Sequence, residues 1–147
     1  VSAGRDEARR PLVLHASCVA LSGSGVLILG AAGRGKSALA LQLMALGCDL
    51  VSDDRTAVVA AGGKLIAAAP ARIRGLIEAR GVGILAADAI AAARLALVVD
   101  LDQEETDRLP PPRRHVMLGV ALPLLHRIES AHFPAAILQY LKAGRAE

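Results

Sequence analysis

Apolar residues come in short runs along this chain, and the punctuation between the runs predicts the elements. Residues 12–14 and 18–21 are apolar, with His15 between them, and Ser22-Gly23-Ser24-Gly25 then leads into the apolar run 26–29. Short apolar runs bounded by turn chemistry predict strands, and the Ser-Gly turn joins the second and third as an antiparallel hairpin. From residue 38 the character changes, and Gln42 is the lone polar residue as far as Leu46. Ala, Leu and Met are strong helix formers, and Gly47 stands where a helix ends. A helix apolar on nearly every side is expected to be buried on most sides. Leu50-Val51 predicts a further strand, and residues 56–59 and 64–66 flank Gly62-Gly63 as a second hairpin. After Pro70, Ile73, Leu76 and Ile77 have helical spacing, which Gly81 and Gly83 break. The Ala-rich segment 87–93 predicts a helix, and 95–99 an apolar strand ending at Asp100. Charged residues fill 102–108, and prolines and arginines fill 109–115, so both stretches read as solvated loop. Residues 120–125 predict a last strand, assigned to an edge because of Pro123. Residues 131–141 predict a C-terminal helix with Ser130 as N-cap and Gly144 beyond its end. Residues 1–10 read as a solvated leader and 11–147 as a single domain.

Between the third strand and the first helix lies Gly30-Ala31-Ala32-Gly33-Arg34-Gly35-Lys36-Ser37. It fits G-x-x-x-x-G-K-[ST], the phosphate-binding P-loop. Glycines let the backbone curl until successive N–H groups point at one phosphate. Lys36 supplies a point charge for the β- and γ-phosphates, and the Ser37 hydroxyl is a ligand for Mg²⁺. The helix that opens at Ala38 adds the partial positive charge of its N-terminus. Residues 30–38 are therefore the candidate nucleotide-binding segment, with ATP and Mg²⁺ the expected cofactors.

Composition narrows the partners. Aromatic residues are 1% of the chain, so stacking platforms for bases are lacking and nucleic-acid readers are disfavoured. No apolar run reaches membrane-spanning length. A net charge of +3 is too mild to identify a partner. Cys18 and Cys48 lack C-x-x-C spacing and read as buried free thiols of a cytoplasmic protein.

A P-loop enzyme needs an acidic partner for the metal and the attacking group. Asp53-Asp54 follows the strand behind the P-loop helix, and Asp100 ends a run that looks like a generic Walker B strand. In a strand–loop–helix–strand unit the end of the second strand returns beside the loop, which favours the Asp pair. Two adjacent carboxylates repel unless a cation or a shared proton holds them, so one on metal and one as base gives the pair a purpose. Glu78 and Arg80 share one face if their segment is extended, and His15 at a strand end is a candidate proton shuttle.

In combination these pieces resemble the catalytic domain of HPr kinase/phosphorylase. The resemblance rests on His15 with Val19, the segment 25–41 around the P-loop, Gly47, Leu50-Val51-Ser52-Asp53-Asp54-Arg55, and Ile77-Glu78-Ala79-Arg80-Gly81 after Pro70. These occur in the family's order. The resemblance implies an α/β fold, a P-loop-containing mixed sheet flanked by helices, similar to phosphoenolpyruvate carboxykinase. It implies ATP-dependent phosphorylation of a seryl hydroxyl on HPr, the phosphocarrier of the bacterial phosphotransferase system, and in many members the reverse dephosphorylation. It implies Asp53 as the base, Asp54 and His15 in support, Lys36 on the phosphates, Ser37 and Glu78 on metal, and Arg80 on phosphate or substrate. Arg127 is the nearest candidate for the family's basic substrate loop. It further implies a cytoplasmic homo-oligomer, a hexamer. Full-length members carry a further N-terminal domain, and the resemblance covers the catalytic domain alone. The chain departs from the family pattern at Ala16, Ala32 and Ala38. The residues by themselves also admit a non-catalytic ATP-binding regulator, or a small-molecule kinase on the same scaffold.

Overall fold

The structure is a computed structural model that describes residues 10–147. Of the leader expected over 1–10, all but Arg10 lies outside the described residues. Among the described residues nine strands form one mixed sheet. Its path runs β1 (Leu12–Leu14), β5 (Thr56–Ala61), β6 (Lys64–Ala68), β9 (Ala93–Glu104), β3 (Ser24–Leu29), β2 (Ala16–Leu21), β4 (Asp49–Ser52). The P-loop strand β3 pairs antiparallel with β2 and parallel with β9, so the sheet is mixed at its centre. β10 (Arg114–Met117) pairs with β11 (Val120–Arg127), and β11 runs parallel to the end of β9. β7 (Leu76–Ala79) and β8 (Gly83–Ala86) form a separate hairpin.

The continuous apolar run in β3 follows from burial on both faces. Val26 and Ile28 face one layer and Leu27 the other, and all three are fully buried. The first layer holds α1 (Lys36–Ala45) and α2 (Phe133–Ala143), whose Leu39, Leu43, Phe133 and Ile137 close over Val26, Ile28, Leu97 and Val99. On the second face the curled sheet covers itself, with Val51, Val58 and Leu65 against Leu27 and Val98. Leu95 and Leu97 share sequence parity yet lie on opposite faces. A bulge between Gly25 and Val26 in the β3–β9 register, which leaves one extra residue on β9, inverts the alternation.

α1 ends as Gly47 implied. Gly47 N–H donates to Met44 O at 3.0 Å and Cys48 N–H to Leu43 O at 3.0 Å, the paired bonds of a Schellman motif. Burial of α1 is narrower than its composition implied. Ala38, Gln42 and Ala45 form an exposed stripe while Leu39, Ala40 and Leu43 are buried.

Four further expectations are corrected. Ile73, Leu76 and Ile77 do not share a helix. A 3-10 turn spans Ala71–Ile73, and the chain then extends as β7. The Ala-rich segment 87–93 is not helical. It is held extended by Ile90 N–H to Leu50 O at 2.9 Å and by an isolated bridge between Leu50 and Ala89. Seven residues are too few for propensity to overcome such tertiary bonds. β11 is not an edge strand: its pairing with β9 begins at Leu124, one residue past Pro123, so the missing N–H interrupts no bond there. Ser130 does not cap α2, whose N-cap position is His132.

Candidate active site

The P-loop lies between β3 and α1. Gly35 occupies the helix N-cap position at φ 94°, a left-handed conformation that only glycine adopts freely. At Gly30, φ 156°, a Cβ would lie 3.2 Å from the Leu101 Cβ, so a side chain there would be tightly crowded. No acidic residue stands in the first turn of α1. The amide nest and helix end are thus left without a neutralising side chain in that turn. Lys36 is 6% exposed and folds back so that Nζ donates to Gly30 O at 2.6 Å. Among the described residues it makes no ion pair. A buried ammonium with one carbonyl partner is suited to an incoming anion.

Beside the loop stands Asp53, 7% exposed. Its Oδ1 accepts from Ser37 Oγ at 2.6 Å and from Ser17 Oγ at 2.8 Å. Its Oδ2 accepts from the Glu78 N–H at 3.0 Å. One carboxylate therefore joins the P-loop, the start of β2 and the β7–β8 hairpin. Ser17 Oγ in turn accepts the Asp54 N–H at 3.1 Å. Ser17 was not singled out from the sequence, because a serine inside an apolar strand carries no motif. Its signal is its place in the register, beside β4 and the turn that follows it.

Asp54 is exposed at φ 65°. Its carbonyl accepts the Ala16 N–H at 3.1 Å, which brings the exposed His15, at the β1–β2 bend, to the neighbourhood of the Asp pair. Glu78 and Arg80 are exposed while Ile77 and Ala79 are buried, so both project to the open side of the hairpin. Asp100 is not on the P-loop serine. It pairs in register with Leu29 and accepts the Asp102 N–H at 2.9 Å.

The charged segment after Asp100 is not free loop. β9 continues to Glu104, and Asp102 reaches the P-loop. Both its carboxylate oxygens lie 3.1 Å from the Ala31 N, and Oδ1 is 3.3 Å from Arg34 Nε. From the next strand Arg127 Nη1 donates to Arg34 O at 3.2 Å, while its Nη2 pairs with Glu129 at 3.6 Å. The crest of the loop is thus tied to β9 and β11, and Asp102 is a functional candidate that sequence reading missed.

Among the described residues no three His, Cys, Asp or Glu side chains gather into a metal cage. Mg²⁺ does not need one, since it is commonly held by one or two carboxylates, waters and substrate phosphates. The Ser37 hydroxyl, linked through Asp53 to the Glu78 backbone, fits that mode. Thiols play no part in this cluster, and burial pushes both Cys18 and Cys48 above the usual thiol range.

Strand, glycine loop and helix in this order, on a mixed sheet with an antiparallel neighbour to the loop strand, place the protein in the P-loop class. Within that class the chain belongs to the HPr serine kinase C-terminal domain family, whose sequence model matches residues 8–123. The HPr kinase/phosphorylase of Caldicellulosiruptor bescii is 36% identical over 124 residues, covering 76% of this chain and 40% of that protein. That of Caldanaerobacter subterraneus subsp. tengcongensis is 45% identical over 82 residues, covering 54% of this chain and 27% of that protein. The chain therefore spans well under half the length of these curated relatives. Among solved structures, the Hpr(Ser) kinase/phosphatase from Coxiella burnetii superposes with a TM-score of 0.75 at 25% identity, covering 89% of this chain and 94% of that one. No helix among the described residues is long and apolar enough to cross a membrane.

Proposed function

We propose that residues 11–147 are an ATP-dependent kinase domain that phosphorylates a seryl hydroxyl of an HPr-type phosphocarrier in the cytoplasm. The observation that carries this reading is the Asp53 junction, where a carboxylate beside the P-loop serine also meets the hairpin bearing Glu78 and Arg80. When bound, ATP with Mg²⁺ supplies the phosphoryl group and neutralises its charge. The loop amides and Lys36 bind the phosphates, and Ser37 with Glu78 holds the metal. Asp53 Oδ1 already accepts two hydroxyls, while Oδ2 accepts one amide and keeps a free lone pair. That lone pair takes the proton of the seryl hydroxyl as its oxygen bonds to phosphorus. In the reverse direction the phosphoryl group would pass from the seryl oxygen to inorganic phosphate as Asp53 returns the proton to that oxygen. Asp54 and His15 support Asp53, Arg80 steadies phosphate or substrate, and Arg127 fixes the loop crest on the substrate side. The family resemblance makes the working form a homo-oligomer, a hexamer.

The test is incubation with HPr, Mg²⁺ and γ-labelled ATP, followed by location of the label. The expected product is phosphoserine on HPr. Asp53→Asn should lower kcat by about 10²–10⁴ while ATP binding changes little, because the lost function acts on the transition state. ATP binding without any labelling of HPr would make the chain a nucleotide-dependent regulator, and label on a metabolite would make it a small-molecule kinase. If Asp100→Asn loses activity and Asp53→Asn keeps it, the base is misassigned.

A further inference from the structure

Ser17 is a fully buried polar residue in a strand whose other residues, Ala16 and Cys18 to Leu21, are apolar. Alternation along β2 puts it on the face that carries Val19 into the helix-side core. A hydroxyl there costs stability unless it is hydrogen-bonded. Among the described residues both of its bonds go to the Asp pair. Oγ donates to Asp53 Oδ1 at 2.8 Å and accepts the Asp54 N–H at 3.1 Å. We propose that Ser17 is a positioning residue for phosphate transfer, which holds the Asp53 carboxylate in its working orientation, an inference that rests on the reading of Asp53 as the base.

Three observations carry it. The direction of the hydroxyl is set, first of all. The Asp54 amide can only donate, so Oγ accepts there and its own hydrogen is left to point at Asp53. Oδ1 is thereby the oxygen that receives hydroxyls, and the free lone pair stays on Oδ2. Second, Ser17 is the donor to Asp53 that has no other task. The second hydroxyl on Oδ1 belongs to Ser37 of the P-loop, and the amide on Oδ2 belongs to a two-stranded hairpin. Ser17 instead lies in a strand with neighbours on both sides. It is in register with Ile28 of β3 and stands one residue before the pairing of Cys18 with Ser52 of β4. Third, one hydroxyl brackets the whole Asp53 residue, with its carboxylate on one side and the next amide on the other. The same atom therefore holds the base and the left-handed turn at Asp54. Packing of β2 asks only for an apolar side chain at this position, and the hydroxyl serves the Asp pair alone.

The experiment compares Ser17→Thr with Ser17→Val in the full chain. The two side chains have nearly the same shape and only threonine keeps a hydroxyl, so their ratio reads the hydrogen bond rather than the packing. In transfer of labelled phosphate from ATP to HPr, kcat of Ser17→Val should lie about ten- to a hundredfold below that of Ser17→Thr, the range for a hydrogen bond to a charged group. Calorimetric affinities for Mg·ATP and for inorganic Mg·tripolyphosphate should agree within about twofold between the two, because the Ser17 hydroxyl bonds to no atom of the P-loop. In an Asp53→Asn background the two should have the same residual kcat, since Ser17 acts through that carboxylate. A purely structural role would carry the same ratio into that background, or lower ATP binding along with rate, and either result would overturn the assignment. In the wild type a slowly exchanging Ser17 hydroxyl proton should be visible by NMR, a readout that does not depend on either variant folding, and its absence would count against the bond. Equal kcat of the two variants would reject Ser17 and leave Asp53 as the base. A wild type that binds ATP and labels no HPr would instead remove the reading of Asp53, and the role of Ser17 with it.

Discussion

Asp54 occupies the most strained backbone position next to the site. At φ 65° it sits in the left-handed region, and the Arg55 N–H closes a three-residue turn onto the Asp53 carbonyl at 2.7 Å. Such a positive-φ γ-turn is rare, and a non-glycine residue there costs about 1–3 kcal/mol. The strain has a geometric yield, since this turn points the Asp53 side chain into the cluster and sends the chain on into β5. Replacing Asp54 by Gly and by Ala separates backbone from side chain. Asp54→Ala should be less stable than Asp54→Gly by about 1 kcal/mol in urea denaturation, because only glycine accepts this φ without a Cβ penalty. Equal stabilities would mean that the turn relaxes in solution. For Asp53 itself, Asn preserves most of the junction. The amide oxygen can take the fixed Glu78 N–H, and the two serine hydroxyls can rotate to accept from its nitrogen. The loss of rate expected of Asp53→Asn should therefore come without unfolding, with a stability change of about 1–2 kcal/mol. At this scale the P-loop and the Asp pair were legible, because each has a motif or a repeated charge behind it. Ser17 and Asp102 were not. Their roles depend on which strand ends adjoin, and no local pattern encodes that.

Among the elements, the extension of β9 past Asp100 did most to change the picture drawn from sequence. A charged run reads as solvated loop when its neighbours are unknown, yet here the P-loop and the end of β11 adjoin it and supply partners. Asp102 ties the P-loop at Ala31 and Arg34, so Asp102→Ala should loosen the loop by releasing the Ala31 N–H and the Arg34 side chain. Faster hydrogen exchange confined to residues 30–35, with ATP affinity down by about three- to tenfold, is the expected result. Unchanged exchange would show that Arg127 alone holds the crest. Beyond the strand, Glu105 and Arg113 clasp the proline-rich stretch. Arg113 Nε and Nη2 donate to the Glu105 carboxylate at 2.9 and 3.0 Å, and the Glu105 side chain is only 5% exposed. The bonds from Arg113 hold its pKa down to about 2 from the ordinary 4.5, with help from the Asp107 and Thr106 amides. A depressed folded value stabilises the fold above the unfolded pKa. The Glu105 contribution is thus complete above pH 4.5 and is lost as pH falls from there towards 2. Urea midpoints followed down this range should fall in the wild type and fall less steeply in Glu105→Gln. Two helices expected from spacing or alanine content proved extended. Periodicity over so few residues is a weak signal, and Gly75 together with the bonds to Leu50 decides those segments instead.

Over the whole molecule, the sheet's mixed character was legible because one tight Ser-Gly turn forces an antiparallel neighbour on β3. What the molecule does with the β7–β8 hairpin was hidden, since an apolar composition does not say which apolar residues stay outside. Ile77 anchors the hairpin in the helix-side core, whereas Val82 and Ile84 are 75% and 64% exposed, and Leu76 and Leu85 are half exposed. Every residue of β8 is exposed. A two-stranded hairpin is marginal by itself, and this one carries Glu78 and Arg80. Apolar side chains left exposed at that place call for cover, and a second copy of the chain is the cover that the family resemblance implies. Sedimentation velocity at micromolar concentration should show an oligomer. Ile84→Lys should shift it towards smaller species, weakening association by about tenfold or more, because a side chain of this size contributes about 1.5–3 kcal/mol when buried. Because the same hairpin holds the Glu78 amide against Asp53, phosphate transfer should decline with dilution in step with dissociation. Binding of tripolyphosphate at the P-loop should not. A wild-type protein that sediments as a monomer, with activity independent of its concentration, would leave the hairpin stable on its own and remove oligomerisation from the mechanism.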